Sequence, residues 1–195
     1  MAILDKATES LTGGCLCGAV RYILDFPQGS SWPPDSHICQ CTQCRKHTGS
    51  LMAHFVTVKP AQLRWLSESG EGGPSAAFKE FSSTKGVYRG FCSSCGSAFT
   101  WRSEATADEI EILIGTIDEK WLIGDRTEKV SSESLTEPGN FEKALDAEDG
   151  ALGREICTPT GGQMFARNAI KGVTDMRLAG KRFVEVSQKK MEVPD

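Results

Sequence analysis

Clustered cysteines constrain the fold of this 195-residue chain more than any other feature, because seven of its eight cysteines lie in three short groups. They are Cys15 and Cys17 in a C-x-C pair, Cys39, Cys41 and Cys44 in a C-x-C-x-x-C group, and Cys92 and Cys95 in a C-x-x-C pair. Two short pairs far apart in sequence are typical of a closed four-thiolate zinc site, whereas three thiolates leave one tetrahedral position free. The count therefore predicts two zinc ions, one structural and one reactive.

The N-terminal residues favour metal binding over disulfide formation. The opening residues, MAILDKATES, contain no apolar run of the kind that a secretory signal needs, and no segment has the ~20 apolar residues of a membrane span. We therefore expect a cytoplasmic protein without a membrane partner, in which thiols stay reduced. The net charge of −4 and the lack of a basic block argue against a nucleic-acid partner, and we expect none.

Short apolar and β-branched segments separated by turns predict a mainly β fold. The candidate strands are residues 19–26, 51–58, 63–66, 76–81, 87–91, 97–101, 109–114 and 182–186. Residues 125–150 are polar and acidic, with one predicted helical turn at residues 141–145. We predict a flexible arm (1–12), a single domain (13–187) and a tail (188–195). The domain divides into a motif-bearing core (13–116) and an extended C-terminal part (117–187).

The two cysteine pairs are each followed by a glycine, Gly18 and Gly96. Glycine permits a positive φ angle, which lets the turn aim backbone N–H groups at the sulfurs and offset their negative charge. We expect the resulting site to link an N-terminal strand to a strand about 75 residues later in the same sheet.

The three-cysteine group leaves two interpretations open. If the chain wraps tightly at residues 42–43, three thiolates fit one ion, and the fourth position holds water or a substrate thiolate. Alternatively the group is a second structural site. The fourth ligand would then come from His37, His47, His54 or Cys157.

Two cations follow this group directly, Arg45 and Lys46. They are candidates for binding an anionic substrate and for offsetting the thiolate charge. Two solvated cations on a surface turn, without a functional role, would give the same sequence pattern. The isolated Cys157 is expected to be a buried or free thiol.

Three sequence motifs resemble those of the glutathione-dependent formaldehyde-activating family, also called the GFA or CENP-V family. They are GGCLCGAVRY at residues 13–22, CQCTQCRKHTGS at residues 39–50 and KGVYRGFCSSCGSAFTWR at residues 85–102. The resemblance covers residues 12–116. It implies a β-tent, or Mss4-like, fold: a mainly antiparallel β structure built around zinc.

The resemblance also implies a function and site residues. A structural zinc would be bound by Cys15, Cys17, Cys92 and Cys95, and a catalytic zinc by Cys39, Cys41 and Cys44. The implied activity is that of a carbon–sulfur lyase that reversibly condenses formaldehyde with glutathione to S-(hydroxymethyl)glutathione. The implied partners are a small thiol and a small electrophile, and the sequence leaves homo-oligomerisation open.

The chain departs from the family pattern at two places. Gln40 stands where the family commonly has histidine, and the chain continues for 80 residues beyond Gly115. Additions of this kind often shape substrate pockets. Two other functions remain as alternatives: a non-catalytic, zinc-scaffolded binding module, and a methionine sulfoxide reductase of the B type with Cys157 as its nucleophile.

Overall fold

The computed structural model describes residues 10–66, 73–124, 152–175 and 181–183. Within these ranges ten strands form two sheets, and the helices are few and short, so the predicted mainly β fold class is confirmed. The strands are β1 (Ser10–Gly14), β2 (Arg21–Asp25), β3 (Ser36–Cys39), β4 (Ala53–Val58), β5 (Leu63–Leu66), β6 (Phe78–Thr84), β7 (Val87–Cys92), β8 (Ala98–Ser103), β9 (Ile110–Leu113) and β10 (Gly162–Met164). The α-helices are α1 (Thr42–Thr48), α2 (Glu119–Ile123) and α3 (Gly153–Cys157). None of the helices in these ranges has the length and apolar character needed to cross a bilayer.

The two sheets differ in size. The smaller sheet has the antiparallel order β1-β2-β5, and the larger sheet has the order β10-β3-β4-β9-β8-β7-β6. Neighbouring strands of the larger sheet are antiparallel except at one edge, where β10 runs parallel to β3. Strands β7 and β8 form the predicted hairpin around the third cysteine group.

Seven of the predicted strands correspond to β2 and to β4–β9, whereas β1, β3 and β10 were not predicted. Residues 10–12, which were predicted to belong to the flexible arm, lie in β1, because Leu11 is fully buried and β1 pairs with β2 along its whole length. In the predicted strand at residues 182–186, Arg182 forms an isolated bridge to Gln163, and residues 184–186 lie outside the described residues. The predicted helical turn at 141–145, residues 1–9 of the arm and the tail also lie outside them.

The main core lies between the two sheets and follows from the two-residue alternation of their strands. The smaller sheet contributes Leu11 and Tyr22, and the larger sheet contributes Val56, Phe99 and Ile112, all fully buried. Burying large apolar side chains of this kind stabilises a domain by about 1.5–3 kcal/mol each.

A second, smaller cluster contains alternate residues of β4. Ala53 and Phe55 are buried there together with Leu113, Cys39 and Cys44. The three-cysteine group therefore belongs to a small core of its own.

The C-terminal segment, residues 152–175, packs onto this framework through its helix and its strand. Helix α3 lies against α2, where the Leu152 amide donates a hydrogen bond to the Trp121 carbonyl at 2.9 Å. Glu155 of α3 accepts a hydrogen bond of 2.7 Å from the Trp32 indole. Strand β10 then extends the larger sheet beside β3.

Substitution of Gly153 tests this packing. A Cβ atom at residue 153 would stand 2.0 Å from the Leu122 carbonyl oxygen, so Gly153→Ala forces α2 and α3 apart. We expect a loss of ~1–3 kcal/mol in the free energy of unfolding, measured with urea. The control is Gly115→Ala, whose Cβ meets no atom within 4 Å. Equal stability of the two variants would contradict the described contact between α2 and α3.

Candidate metal centres

The first group of thiols lies where the two sheets meet. Cys15 and Cys17 follow β1 of the smaller sheet, while Cys92 ends β7 of the larger sheet and Cys95 lies in the turn to β8. All four Sγ atoms lie within 4.8 Å of one another. The predicted quartet is therefore brought together, but it connects two sheets rather than two ends of one sheet.

The geometry of this group fits a tetrahedral zinc ion. Sulfurs bound to zinc at about 2.3 Å are about 3.8 Å apart. The Sγ atoms of Cys15 and Cys17 are separated by 3.5 Å, and those of Cys17 and Cys92 by 3.9 Å. Four thiols at this spacing could therefore hold one tetrahedral metal ion such as zinc.

The turns around these cysteines have the predicted conformation. Gly18 and Gly96 have φ angles of 79° and 78°, and the Val20 amide donates a hydrogen bond of 3.3 Å to Cys15 Sγ. Hydrogen bonding to the Ser97 side chain lowers the pKa of Cys95 to about 5. The group therefore has donors that stabilise thiolates, as a metal site requires.

The second group of thiols forms where β3 leads into α1. Cys39 ends β3, Cys41 is the N-cap of α1 and Cys44 lies in its first turn, and their Sγ atoms lie within 4.8 Å of one another. The Cys44 amide donates a hydrogen bond of 3.3 Å to Cys41 Sγ. The tight wrap predicted at residues 42–43 is thus the start of helix α1. The N-cap acceptor is the sulfur of Cys41 instead of the usual side-chain oxygen.

The pKa values of the thiols in the second group are shifted in different directions. Hydrogen bonds from the Cys39 and Cys44 thiols, with those from backbone amides, strongly lower the pKa of Cys41. Hydrogen bonds to Cys41 and to Cys44, together with burial, raise the pKa of Cys39. Cys41 is therefore the most thiolate-like member of the group.

Among the described residues, no histidine or carboxylate joins either group of thiols. His37 is used elsewhere: its ring stacks on Phe55 at 5.4 Å, and its Nε2 atom lies 3.5 Å from Glu111 Oε2. Burial opposes a charge on His37, but the hydrogen bond to Glu111 and the negative charges of Glu111, Asp35 and Glu109 together outweigh it and raise the pKa of His37.

The three other candidate ligands are also apart from the second group. His47 packs edge-on against Phe81 at 5.8 Å, and burial followed by the charge of Arg89 lowers its pKa. Burial lowers the pKa of His54 to about 4, so this residue is neutral near pH 7. Cys157 packs against the main core, and burial raises its pKa. Three protein thiols thus form the whole of the second group in the described chain.

Arg89 of β7 is a residue of this site that was not recognised in the sequence. Its side chain is almost completely buried, and Nη1 donates a hydrogen bond of 3.5 Å to Cys44 Sγ. It also donates hydrogen bonds to Ser83 Oγ at 3.0 Å and to Gln43 Oε1 at 3.4 Å. A buried guanidinium needs a compensating anion, and Cys44 would supply one as a thiolate when the group holds a metal ion. A charged residue within a strand segment, three positions before Cys92, was the available signal.

Arg45 and Lys46, the two cations predicted from the sequence to bind substrate, are more exposed than Arg89. Arg45 and Lys46 lie in the last turn of α1, where positive charges are favourable beside the carbonyl groups that end a helix. Arg45 is partly exposed and Lys46 is exposed. Both remain accessible to an anionic ligand, but Arg89 is the cation that contacts a thiol.

Gln40, which departs from the family motif, is buried beside the second group. Its Nε2 atom donates to the Thr174 carbonyl at 3.2 Å, and Thr174 Oγ1 donates to Gln40 Oε1 at 2.7 Å. Its backbone carbonyl accepts a hydrogen bond from Asn168 Nδ2 at 3.3 Å. The motif is therefore attached directly to the C-terminal segment.

Comparison with known proteins gives two positive findings. The family described as "Glutathione-dependent formaldehyde-activating enzyme" matches residues 10–133. A solved structure, a Rhodobacter sphaeroides protein, is 20% identical with a TM-score of 0.42, and the match covers 65% of this chain and 96% of that one. Among curated proteins, nothing matches.

The two groups of thiols predict a specific metal content. In native mass spectrometry we expect two zinc ions per chain, one ion in Cys41→Ser, and two in the control Cys157→Ser, whose thiol lies in neither group. One zinc in the unmodified protein, or two in Cys41→Ser, would contradict a separate site at the second group.

The contact between Arg89 and Cys44 predicts a selective effect on that site. Arg89→Met removes the charge beside the thiolate, and we expect zinc affinity at the second group to fall by about 10–100-fold, as is typical when a residue that supports a metal ligand is lost. The affinity of the first group should not change, so it is an internal control. Competition with a chelator measures both, and Arg89→Lys, which keeps the charge, should lose less affinity. Unchanged zinc affinity in Arg89→Met would show that the guanidinium does not stabilise this site.

Proposed function

The chain belongs to the glutathione-dependent formaldehyde-activating enzyme family, and on this premise we propose that it makes and breaks carbon–sulfur bonds between a thiol and a small electrophile. The proposed thiol is glutathione or a related compound, and the proposed electrophile is formaldehyde or another small carbonyl compound. The observation that supports this proposal most directly is the group of three thiols without a fourth protein ligand among the described residues.

The reaction is an addition to a carbonyl group. The thiol sulfur forms a bond to the carbonyl carbon, the carbon–oxygen π bond breaks, and the oxygen receives the proton that the thiol has lost. In the reverse direction the carbon–sulfur bond breaks and the carbonyl group forms again. The reaction needs no oxidant or reductant.

We propose that Cys39, Cys41 and Cys44 hold a catalytic zinc ion. Zinc supplies a positive charge that keeps a fourth, substrate sulfur deprotonated near neutral pH and can polarise a carbonyl oxygen. The position of Arg89 beside Cys44 suits it to offset the thiolate charge. Arg45 and Lys46, which directly follow Cys44 on α1, are proposed to bind the carboxylates of the thiol substrate.

We further propose that Cys15, Cys17, Cys92 and Cys95 hold a structural zinc ion. Their position between the sheets supports this role, since a closed four-thiolate site contributes folding free energy rather than chemistry. None of the eight cysteines forms a disulfide, which accords with a reducing compartment such as the cytoplasm.

The second candidate function, a non-catalytic zinc-scaffolded binding module, has less support. A histidine as fourth ligand of the second group would favour that function. His37, His47 and His54 all lie outside the group of thiols. An open ligand position is of use to an enzyme and of none to a purely structural site.

The proposed activity can be tested directly. The spontaneous addition of glutathione to formaldehyde is the background, and exchange spectroscopy by NMR measures its acceleration by the zinc-loaded protein. We expect Cys41→Ser to lose the acceleration by ~100-fold or more, because loss of a direct ligand should exceed the effect of losing its neighbours. Cys157→Ser should retain it. A two-zinc protein that does not accelerate exchange with any aldehyde would contradict the proposal and favour the binding module.

A further inference from the structure

A segment outside the family match passes beside the three-thiol group. We call residues 162–174 the strap; they follow the matched region, which ends at residue 133. Strand β10 opens the strap in parallel register with β3, and Met164 is paired with Cys39. The Gln40 amide then donates a hydrogen bond of 3.1 Å to the Met164 carbonyl. The strap is therefore paired with the chain that carries the thiols as far as Gln40, the residue between Cys39 and Cys41.

The strap is fixed to the motif at both of its ends. Beyond β10, the buried side chains of Gln40 and Thr174 exchange two hydrogen bonds, and Asn168 donates a third to the Gln40 backbone. The Thr174 hydroxyl also accepts a hydrogen bond from the Ile170 amide at 2.9 Å. These contacts leave the strap little freedom to move relative to the three thiols.

Phe165 is the strap residue that reaches the second small core. Its half-buried ring packs against the cluster that contains Cys39 and Cys44, on which Trp101 also packs. Its backbone is left-handed, with φ 57° and ψ 40°, and among the described residues it is the one non-glycine residue with a positive φ angle.

A left-handed conformation at a bulky aromatic residue is strained, and such residues persist where the surrounding structure holds them. Here the next residue is held by a 2.9 Å hydrogen bond from the Ala166 amide to the Phe183 carbonyl. The Asn168 amide closes the following turn onto the Phe165 carbonyl, also at 2.9 Å. The strap thus imposes this conformation and keeps the ring against the thiol cluster.

We propose that Phe165 is a specificity-determining residue that forms one wall of the substrate pocket beside the three-thiol group. It restricts the reacting partners to those without bulk next to the sulfur or the carbonyl carbon, such as primary thiols and formaldehyde. This inference rests on the proposed function, because it assumes that the open position of the group receives a substrate.

The test compares ligands of different bulk in the cobalt-substituted full-length protein. Ethanethiol and tert-butyl thiol are each titrated while the cobalt–thiolate absorption is recorded, so that binding is read without an assay of activity. We expect Phe165→Ala to tighten the binding of tert-butyl thiol by about tenfold relative to ethanethiol, the size of effect typical of opening an apolar pocket. Phe165→Leu keeps the small core filled and should change the ratio of the two affinities less. This variant provides the test if Phe165→Ala does not fold.

The matched control is Ile170→Ala, which removes an exposed apolar side chain from the same strap. It should leave the ratio of the two affinities unchanged. If thiols bind but the ratio is the same in all variants, the wall proposal is wrong and the proposed function stands. If neither thiol changes the spectrum of any variant, the site is closed, and both proposals are wrong.

Discussion

The meeting of the two sheets at Cys15, Cys17, Cys92 and Cys95 is the contact on which the rest of the structure depends. The smaller sheet, formed by β1, β2 and β5, is stabilised by burying the apolar side chains of Leu11 and Tyr22 against the larger sheet. The four thiols lie at the edge of that interface and join the end of β1 to the end of β7. A metal ion bound by these four thiols would hold the end of β7 next to the end of β1.

Strand β7 carries this constraint to the second group of thiols. Its last residue, Cys92, belongs to the first group, and Arg89, three positions earlier, contacts Cys44. Helix α1 is also attached to the neighbouring strand β6 through the hydrogen bond from Gln43 to Thr84 and the ring contact between His47 and Phe81. The two groups of thiols are therefore linked through the β6–β7 hairpin.

The departure at Gln40 and the long C-terminal extension have a common explanation. Both sets of residues meet in one buried network, since Gln40 is the partner of Thr174 and Asn168. A buried amide must have its hydrogen bonds satisfied, and the extension supplies the partners. In exchange, the extension gains a fixed position next to Cys39 and Cys41. The segment that contains Asn168 and Thr174 is thereby held beside the motif residue that departs from the family pattern.

The sequence by itself determined the elements whose causes are local. Spacing assigned the cysteines to two groups, glycines after the pairs indicated left-handed turns, and short apolar and β-branched runs between turns located most strands, because each of these depends on near neighbours. Only the tertiary structure decided the long-range contacts. Arg89 and Cys44 are 45 residues apart, and Gln40 and Thr174 are 134 apart. Strands β3 and β10 are short and lack a clear alternation, and they form because pairing across the sheet satisfies their backbone groups. Which cation contacts Cys44, and which aromatic rings pack on the second small core, follow from how the strands pair, and the local sequence does not specify either contact.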